Sequence, residues 1–236
     1  MSNTAYLCGS RSDELYPSST DAEYDSKQQT IAIDVHAIPL MWLAAFREAD
    51  LVTQTINDDD GDAVTVTAPI CTVERALSNL DAAGSSLNQA FPDQPNLDGY
   101  RRYLKQAIES CGFPWITMEI SEIESMMDPQ EFQSSLRACL RGFDGIAIES
   151  EPAKKPGFLA KLFGGSARPP RDWKSFLLEV SDLKPEHPFP KASMFEDDLD
   201  FSDHESWNHC RLLGDSLFRP VPWIPTKGEQ DVHSNA

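Results

Sequence analysis

The sequence predicts an α+β fold, a mixed or antiparallel sheet packed with helices and followed by a proline- and aromatic-rich C-terminal extension. Three stretches carry the prediction. In Trp115-Ile116-Thr117-Met118-Glu119-Ile120 the apolar residues Ile116, Met118 and Ile120 recur at period two, as in a strand with one buried face, and we expect this strand to be central. Asp128-Pro129-Gln130-Glu131 places a carboxylate at the N-cap, a proline at N1 and a glutamate at N3, the order of a capping box. Behind that cap Phe132, Leu136, Cys139, Leu140 and Phe143 form one helical stripe, with Gln133, Ser134, Arg137 and Arg141 facing away and Gly142 marking the end. Third, Val52, Gln54 and Ile56 before the acidic turn Asn57–Asp62, with Val64 and Val66 after it, read as a β-hairpin.

The remaining elements follow in order. Ala5–Cys8 reads as a short first strand, Gly9–Gln29 as a polar loop, and Thr30–Val35 as a second strand. Pro39 opens a helix whose Leu40, Trp42, Leu43 and Phe46 make a thick apolar face and which should end near Ala49. Thr72 caps a helix buried along Val73, Leu77, Leu80 and Leu87 as far as Phe91. After the loop Pro92–Pro95, Leu97, Tyr100, Leu104 and Ile108 mark a partner helix, antiparallel to it. Ser121–Met127 is expected as a plain connection, and a second short strand should follow the Asp128 helix and end at Ile148.

The domain organisation expected is an α+β domain over 1–148, a linker over 149–171, and a C-terminal extension over 172–236 whose last few residues are disordered. Within the linker, Phe158–Phe163 is apolar with basic neighbours but too short for a membrane-surface helix, and it reads as a docked segment. Phe176–Val180 reads as a strand or a short helix, and the prolines from Pro185 to Pro225 forbid long elements beyond it. Trp173, Phe176, Phe189, Phe195, Trp207, Phe218 and Trp223 are too many large apolar groups to leave in water, so the extension should pack on the first domain.

Charge narrows the partners. Across 236 residues, 20 Lys and Arg face 38 Asp and Glu, a formal charge of −18 that repels nucleic-acid phosphate and anionic lipid and attracts basic partners, though plain solubility explains acidity equally well. The five cysteines are odd in number and scattered without a Cys-x-x-Cys pair, which predicts reduced, buried thiols. With neither a signal-like N-terminus nor a long apolar run, the expected compartment is the cytoplasm.

Searches for chemistry nominate no catalytic residue. There is no Gly-x-Ser-x-Gly, no Walker loop and no Gly-x-Gly-x-x-Gly, and Gly164-Gly165 lacks the following Lys-Ser or Lys-Thr. Cys139 sits on a buried stripe, Cys111 has no evident His partner, and among so many carboxylates no acid–base pair stands out. No metal or cofactor is expected. Aligning Gly61 with the glycine of an EF-hand loop puts Ile56 at the first ligand position and Thr67 at the twelfth. His204 and His209 are i and i+5, which diverge by about 100° more than the i, i+4 spacing of a zincin helix, and adding His187, Asp203 and Cys210 yields no recognised zinc spacing. The densest acidic run, Glu196 to Glu205, interleaves carboxylates with aromatics, so Glu196, Asp197, Asp198, Asp200, Phe201, Asp203 and Trp207 are the candidate partner-binding residues. The competing reading is a solvated face with its aromatics turned inward.

Ser2-Asn3-Thr4-Ala5-Tyr6-Leu7, Ala37-Ile38-Pro39-Leu40, and Ile120-Ser121-Glu122-Ile123 followed by Asp128-Pro129-Gln130-Glu131-Phe132 resemble an uncharacterised bacterial family whose members start Met-Ala-Asn-Arg-Ser-Tyr-Leu. The resemblance reaches from Met1 to about Asp144 and departs at Thr4-Ala5, where the usual pair is Arg-Ser. It implies an immunity protein that binds and neutralises a cognate basic toxin by occlusion, with no catalytic residues to carry over. The alternatives are a small hydrolase that reverses a toxin modification, and a signalling or scaffold module.

Overall fold

The computed structural model describes residues 3–16, 27–57, 61–93, 97–145, 171–183, 211–214 and 216–217. They form an α+β fold. Strands β1 (Thr4–Ser10), β2 (Gln28–Val35), β3 (Leu51–Asn57), β4 (Ala63–Thr72), β5 (Trp115–Glu119) and β6 (Ser216–Leu217) make one sheet in the order β3-β4-β5-β1-β2-β6. Every neighbouring pair is antiparallel, so the sheet is antiparallel rather than mixed, and β5 lies inside it as expected.

Alternation gives the sheet two faces. Met118 opposes Leu7 and Ile116 opposes both Gly9 and Cys71, so these share one face, while Thr117 and Glu119 share the other with their partners Cys8 and Tyr6. The first face carries the core: Ile116, Met118 and Leu7 are buried, and Cys71 Sγ lies 4.0 Å from the Ala45 carbonyl oxygen at the end of helix α1 (Leu40–Ala44). Helices α2 (Val73–Ala90) and α3 (Leu97–Ser110) pack antiparallel, with Lys105 Nζ 2.7 Å from Asp81 and the Arg101 guanidinium lying over Gly84, where a β-carbon would collide with it. Thr72 caps α2 by accepting from the Arg75 N–H at 3.2 Å.

Helix α5 (Pro129–Phe143) is capped by Asp128 Oδ1, which accepts from the Gln130 and Glu131 N–H groups at 3.0 Å each. Its whole predicted stripe, Phe132, Leu136, Cys139, Leu140 and Phe143, is buried. Gly142, expected as the terminus, lies inside the helix instead. It is buried because the Trp173 indole occupies the space of its missing β-carbon, and the chain leaves the helix through Gly145, whose φ of 71° favours glycine.

Three further boundaries differ from the sequence reading. Helix α1 stops at Ala44 rather than near Ala49: the Arg47 N–H is taken by Asp50 Oδ2 at 2.8 Å, and its guanidinium donates to the Ala44 and Phe46 carbonyls at 2.9 and 2.7 Å, closing the helix end. Strand β4 runs on through Pro69, where it changes partner, since Pro69 pairs with Leu51 of β3 and Ile70 with Thr117 of β5. The expected connection Ser121–Met127 contains helix α4 (Ser121–Ser125). Of the two readings of Phe176–Val180, strand or short helix, the structure has the helix, α6 (Trp173–Val180), capped by Asp172 Oδ1 accepting from the Ser175 N–H at 2.8 Å. The strand expected up to Ile148 and the linker up to residue 170 lie outside the described residues.

The described residues after 170 touch the core directly. Trp173 meets Phe143 edge-on at 4.9 Å and donates from Nε1 to the Cys139 carbonyl at 2.9 Å. Trp42 Nε1 donates to the Leu213 carbonyl at 2.9 Å, and Gly214, with φ of 102°, sits so close to β2 that a β-carbon would lie 2.6 Å from the Ile33 oxygen. Arg211 and Asp34 of β2, both fully buried, pair at 2.6 Å.

Candidate functional site

The residues singled out from the sequence as a partner surface, Glu196, Asp197, Asp198, Asp200, Phe201, Asp203 and Trp207, lie outside the described residues, as do His187, His204, His209, Cys210 and Asp58–Asp60. Cys71, Cys111 and Cys139 are buried core thiols, and burial pushes the Cys71 thiol up to about 12, far from a reactive thiolate. Among the described residues no cluster of three or more His, Cys, Asp or Glu is placed to hold a metal ion.

The feature that stands out is a cavity of about 210 Å³ on the sheet face opposite the core, roofed by Leu15 and Tyr16. Strand alternation builds it. Ile56, Val64, Val66 and Ala68 line its apolar side, Thr117 and Glu119 lie on the same face, and Gln28 reaches in from β2. The roof is pinned to the hairpin, because the Leu15 N–H donates to Gln54 Oε1 at 3.0 Å and Gln54 Nε2 donates to the Leu15 carbonyl at 3.5 Å. Tyr16 is held in turn by its hydroxyl, which donates to Glu14 Oε2 at 2.8 Å, and by Lys27 Nζ, 5.0 Å above its ring.

One end of the cavity is acidic. Glu119, Glu122 and Glu124 all line it, and α4 decides what each carboxylate is free to do. Glu122 Oε2 accepts from the Thr4 N–H at 2.8 Å, and Glu124 Oε1 accepts from Gln133 Nε2 at 3.0 Å, so both are tied to the scaffold. Glu119 Oε1 accepts from both the N–H and the hydroxyl of Ser121, the first residue of α4. Its other oxygen, Oε2, is buried with no hydrogen-bond partner, and so is Gln28 Oε1 on a residue only 2% exposed.

Both oxygens are closed off from solvent by the packing around them. Burial holds the Glu119 carboxyl above the ordinary carboxylate range, against the two Ser121 hydrogen bonds, and the nearby Glu122 charge adds to the rise. A folded-state value above the unfolded one means that the folded chain binds more protons there, so this group's contribution to stability falls as pH rises from the ordinary glutamate value through the raised one. Glu119→Gln should therefore raise the thermal midpoint at pH 7. As the pH falls, the gap between the two melting temperatures should narrow in calorimetric scans.

Sequence reasoning did not find this site. Glu119 looks like an ordinary outward residue of a half-buried strand, and only the passage of Leu15 and Tyr16 over that face turns it into a cavity wall. The available signal was a carboxylate inside the central strand two residues before a helix start. Compared with protein-family models, curated proteins and solved structures, the chain matches none. Among the described residues no helix is long and apolar enough to cross a membrane.

Proposed function

We propose that this chain is an acidic binding protein that neutralises a basic partner by occlusion, as an immunity protein does for a cognate toxin. The observation that supports it most is the formal charge of −18, with Glu119, Glu122 and Glu124 lining one cavity. Long-range attraction of a basic surface is what an inhibitor of a basic toxin requires first. The resemblance of the N-terminal pieces points the same way.

The hydrolase alternative draws on the same carboxylates, since three of them line one cavity. General acid–base work needs two that are free to exchange protons with a substrate, and Glu122 and Glu124 are each engaged by a scaffold N–H donor. Binding is the reading we adopt.

Deleting the gene in its bacterial host and competing the deletion strain against its parent tests the proposal. A strain that is outcompeted only in contact with the parent, and rescued by expression of this chain in trans, supports immunity. Equal fitness of the two strains overturns it. A narrower expectation concerns the acidic run: with the captured toxin in hand, replacing Asp197, Asp198, Asp200 and Asp203 by Asn and Ser should slow association most at low salt, where a Debye length of about 30 Å lets the whole run act. Stopped-flow on-rates at two salt concentrations check it, and rates equal to wild type at both would remove that run from the interface.

A further inference from the structure

We infer that strand β3 is an interface for a second copy of this chain, so that two β3–β4 hairpins join edge to edge about a two-fold axis into one continuous antiparallel sheet. β3 is the end strand of its sheet, with no neighbour beyond it among the described residues. The direction of its backbone groups follows from β4. Pro69 has no N–H, and its carbonyl accepts from Thr117 Oγ1 at 3.0 Å, so this residue turns its backbone toward β5 and away from its partner Leu51. Alternation then makes Thr53↔Thr67 and Thr55↔Thr65 pairs without backbone hydrogen bonds, whose side chains approach most closely. The contacts agree: the Thr53 and Thr67 hydroxyls meet at 2.9 Å, those of Thr55 and Thr65 at 3.4 Å, and the Thr67 carbonyl is taken by Gln133 Nε2 at 3.2 Å. Thr53 and Thr55, both exposed, therefore aim their N–H and C=O groups outward from the sheet.

Edge strands are ordinarily guarded against such pairing by charge, proline or a bulge. Leu51–Asn57 has none of these: it carries no charged residue and no proline in a chain that is 25% charged, and it pairs with β4 without a shift of register. An uncharged strand offers a basic segment nothing to select, whereas a second copy meets its own complement. About Gln54 the strand reads nearly alike in both directions, with threonine at 53 and 55 and a β-branched aliphatic residue at 52 and 56. A two-fold axis through Gln54 sets Thr53 opposite Thr55 of the second copy, and the reverse, as pairs that exchange both backbone hydrogen bonds. On one face the threonine ladder continues across the junction, and on the other Val52 meets Ile56 of the second copy. A single strand pair buries less than the roughly 1,000 Å² of a stable interface, and two chains of formal charge −18 repel each other, so the dimer is weak and strengthens with salt.

Sedimentation equilibrium of the full chain, from about 10 μM to about 1 mM and in about 0.01 M and about 1 M sodium chloride, tests this, because the Debye length falls from about 30 Å to about 3 Å between the two salts. The expected result is monomer at low concentration, dimer growing with concentration, and roughly tenfold tighter association at the higher salt. Thr55→Pro removes an N–H that faces the free edge, so the variant should keep a wild-type circular dichroism spectrum and stay monomeric. Should the proline disturb the hairpin, amide hydrogen exchange of the wild type decides: the Thr53 and Thr55 amides should slow as concentration rises, and the Gln54 amide, turned toward β4, should not. Monomer under every condition, a folded Thr55→Pro that dimerises like the wild type, or Thr53 and Thr55 amides indifferent to concentration overturns the inference. So does a chain that is monomeric alone and protects those amides only when a basic partner is added, which would make the edge that partner's docking strand. The immunity reading is tested apart from this, since the competition assay reads protection whether or not the chain dimerises.

Discussion

Leu136→Asp is expected to leave no cooperatively folded protein at 37 °C. Leu136 is completely buried in the stripe of helix α5, between Phe132 and Leu140, and an aspartate there exchanges apolar contact for a charge with no partner. Such replacements sit at the top of the mutational range, about 4–5 kcal/mol or more, against a total stability of about 5–15 kcal/mol for a domain. Ser134→Asp, on the exposed face of the same helix, supplies the control and should change stability by no more than about 0.5 kcal/mol. Urea unfolding followed by circular dichroism distinguishes the two. A wild-type midpoint for Leu136→Asp would mean that the helix does not bury this face.

Asp34→Ala should be nearly as damaging, for a different reason. Asp34 and Arg211 are both fully buried and pair at 2.6 Å, and Arg211 Nη1 also donates to the Val35 carbonyl at 2.6 Å. Removing the carboxylate takes from the buried guanidinium its partner at 2.6 Å, while Asp182, half exposed, lies 3.8 Å from Nε. Breaking a buried pair from one side costs about 3–5 kcal/mol, whereas replacing both partners by apolar residues of similar volume is often neutral. The double variant Asp34→Leu, Arg211→Met should therefore recover most of the midpoint lost by Asp34→Ala. If the single variant melts like the wild type, the pair does not tie residues 211–214 to β2.

The two variants also separate what is local in this chain from what is not. Leu136 was legible as core because helical periodicity and the Asp128-Pro129 cap lie within one short stretch, and the physics that buries the stripe needs no knowledge of the rest of the fold. The strand Trp115–Glu119, the hairpin and the caps at Thr72 and Asp128 were legible for the same reason: each rests on side chains within a few residues of one another. The terminus at Gly142 was misplaced because a glycine signals either a helix end or a close approach, and the indole that makes the second true comes from Trp173, far along the chain. Helix α1 was read too long because its stop is set by Arg47 folding back on Asp50 and on two carbonyls, a side-chain choice that periodicity does not register.

By itself, then, the sequence determined the α+β class, the buried stripes, two helix caps and the acidic character, all of which follow from spacing and composition. Only the tertiary structure decided that Arg211 neutralises Asp34 and that Leu15 and Tyr16 roof the Glu119 face. It also decided that Glu119 and Gln28 are left there with unmatched oxygens. The physical reason is one of range. A cap or a stripe draws its free energy from neighbours within a turn or two, while burial of a polar atom depends on whichever distant segment comes to rest above it, and hydrogen-bond matching is settled only then.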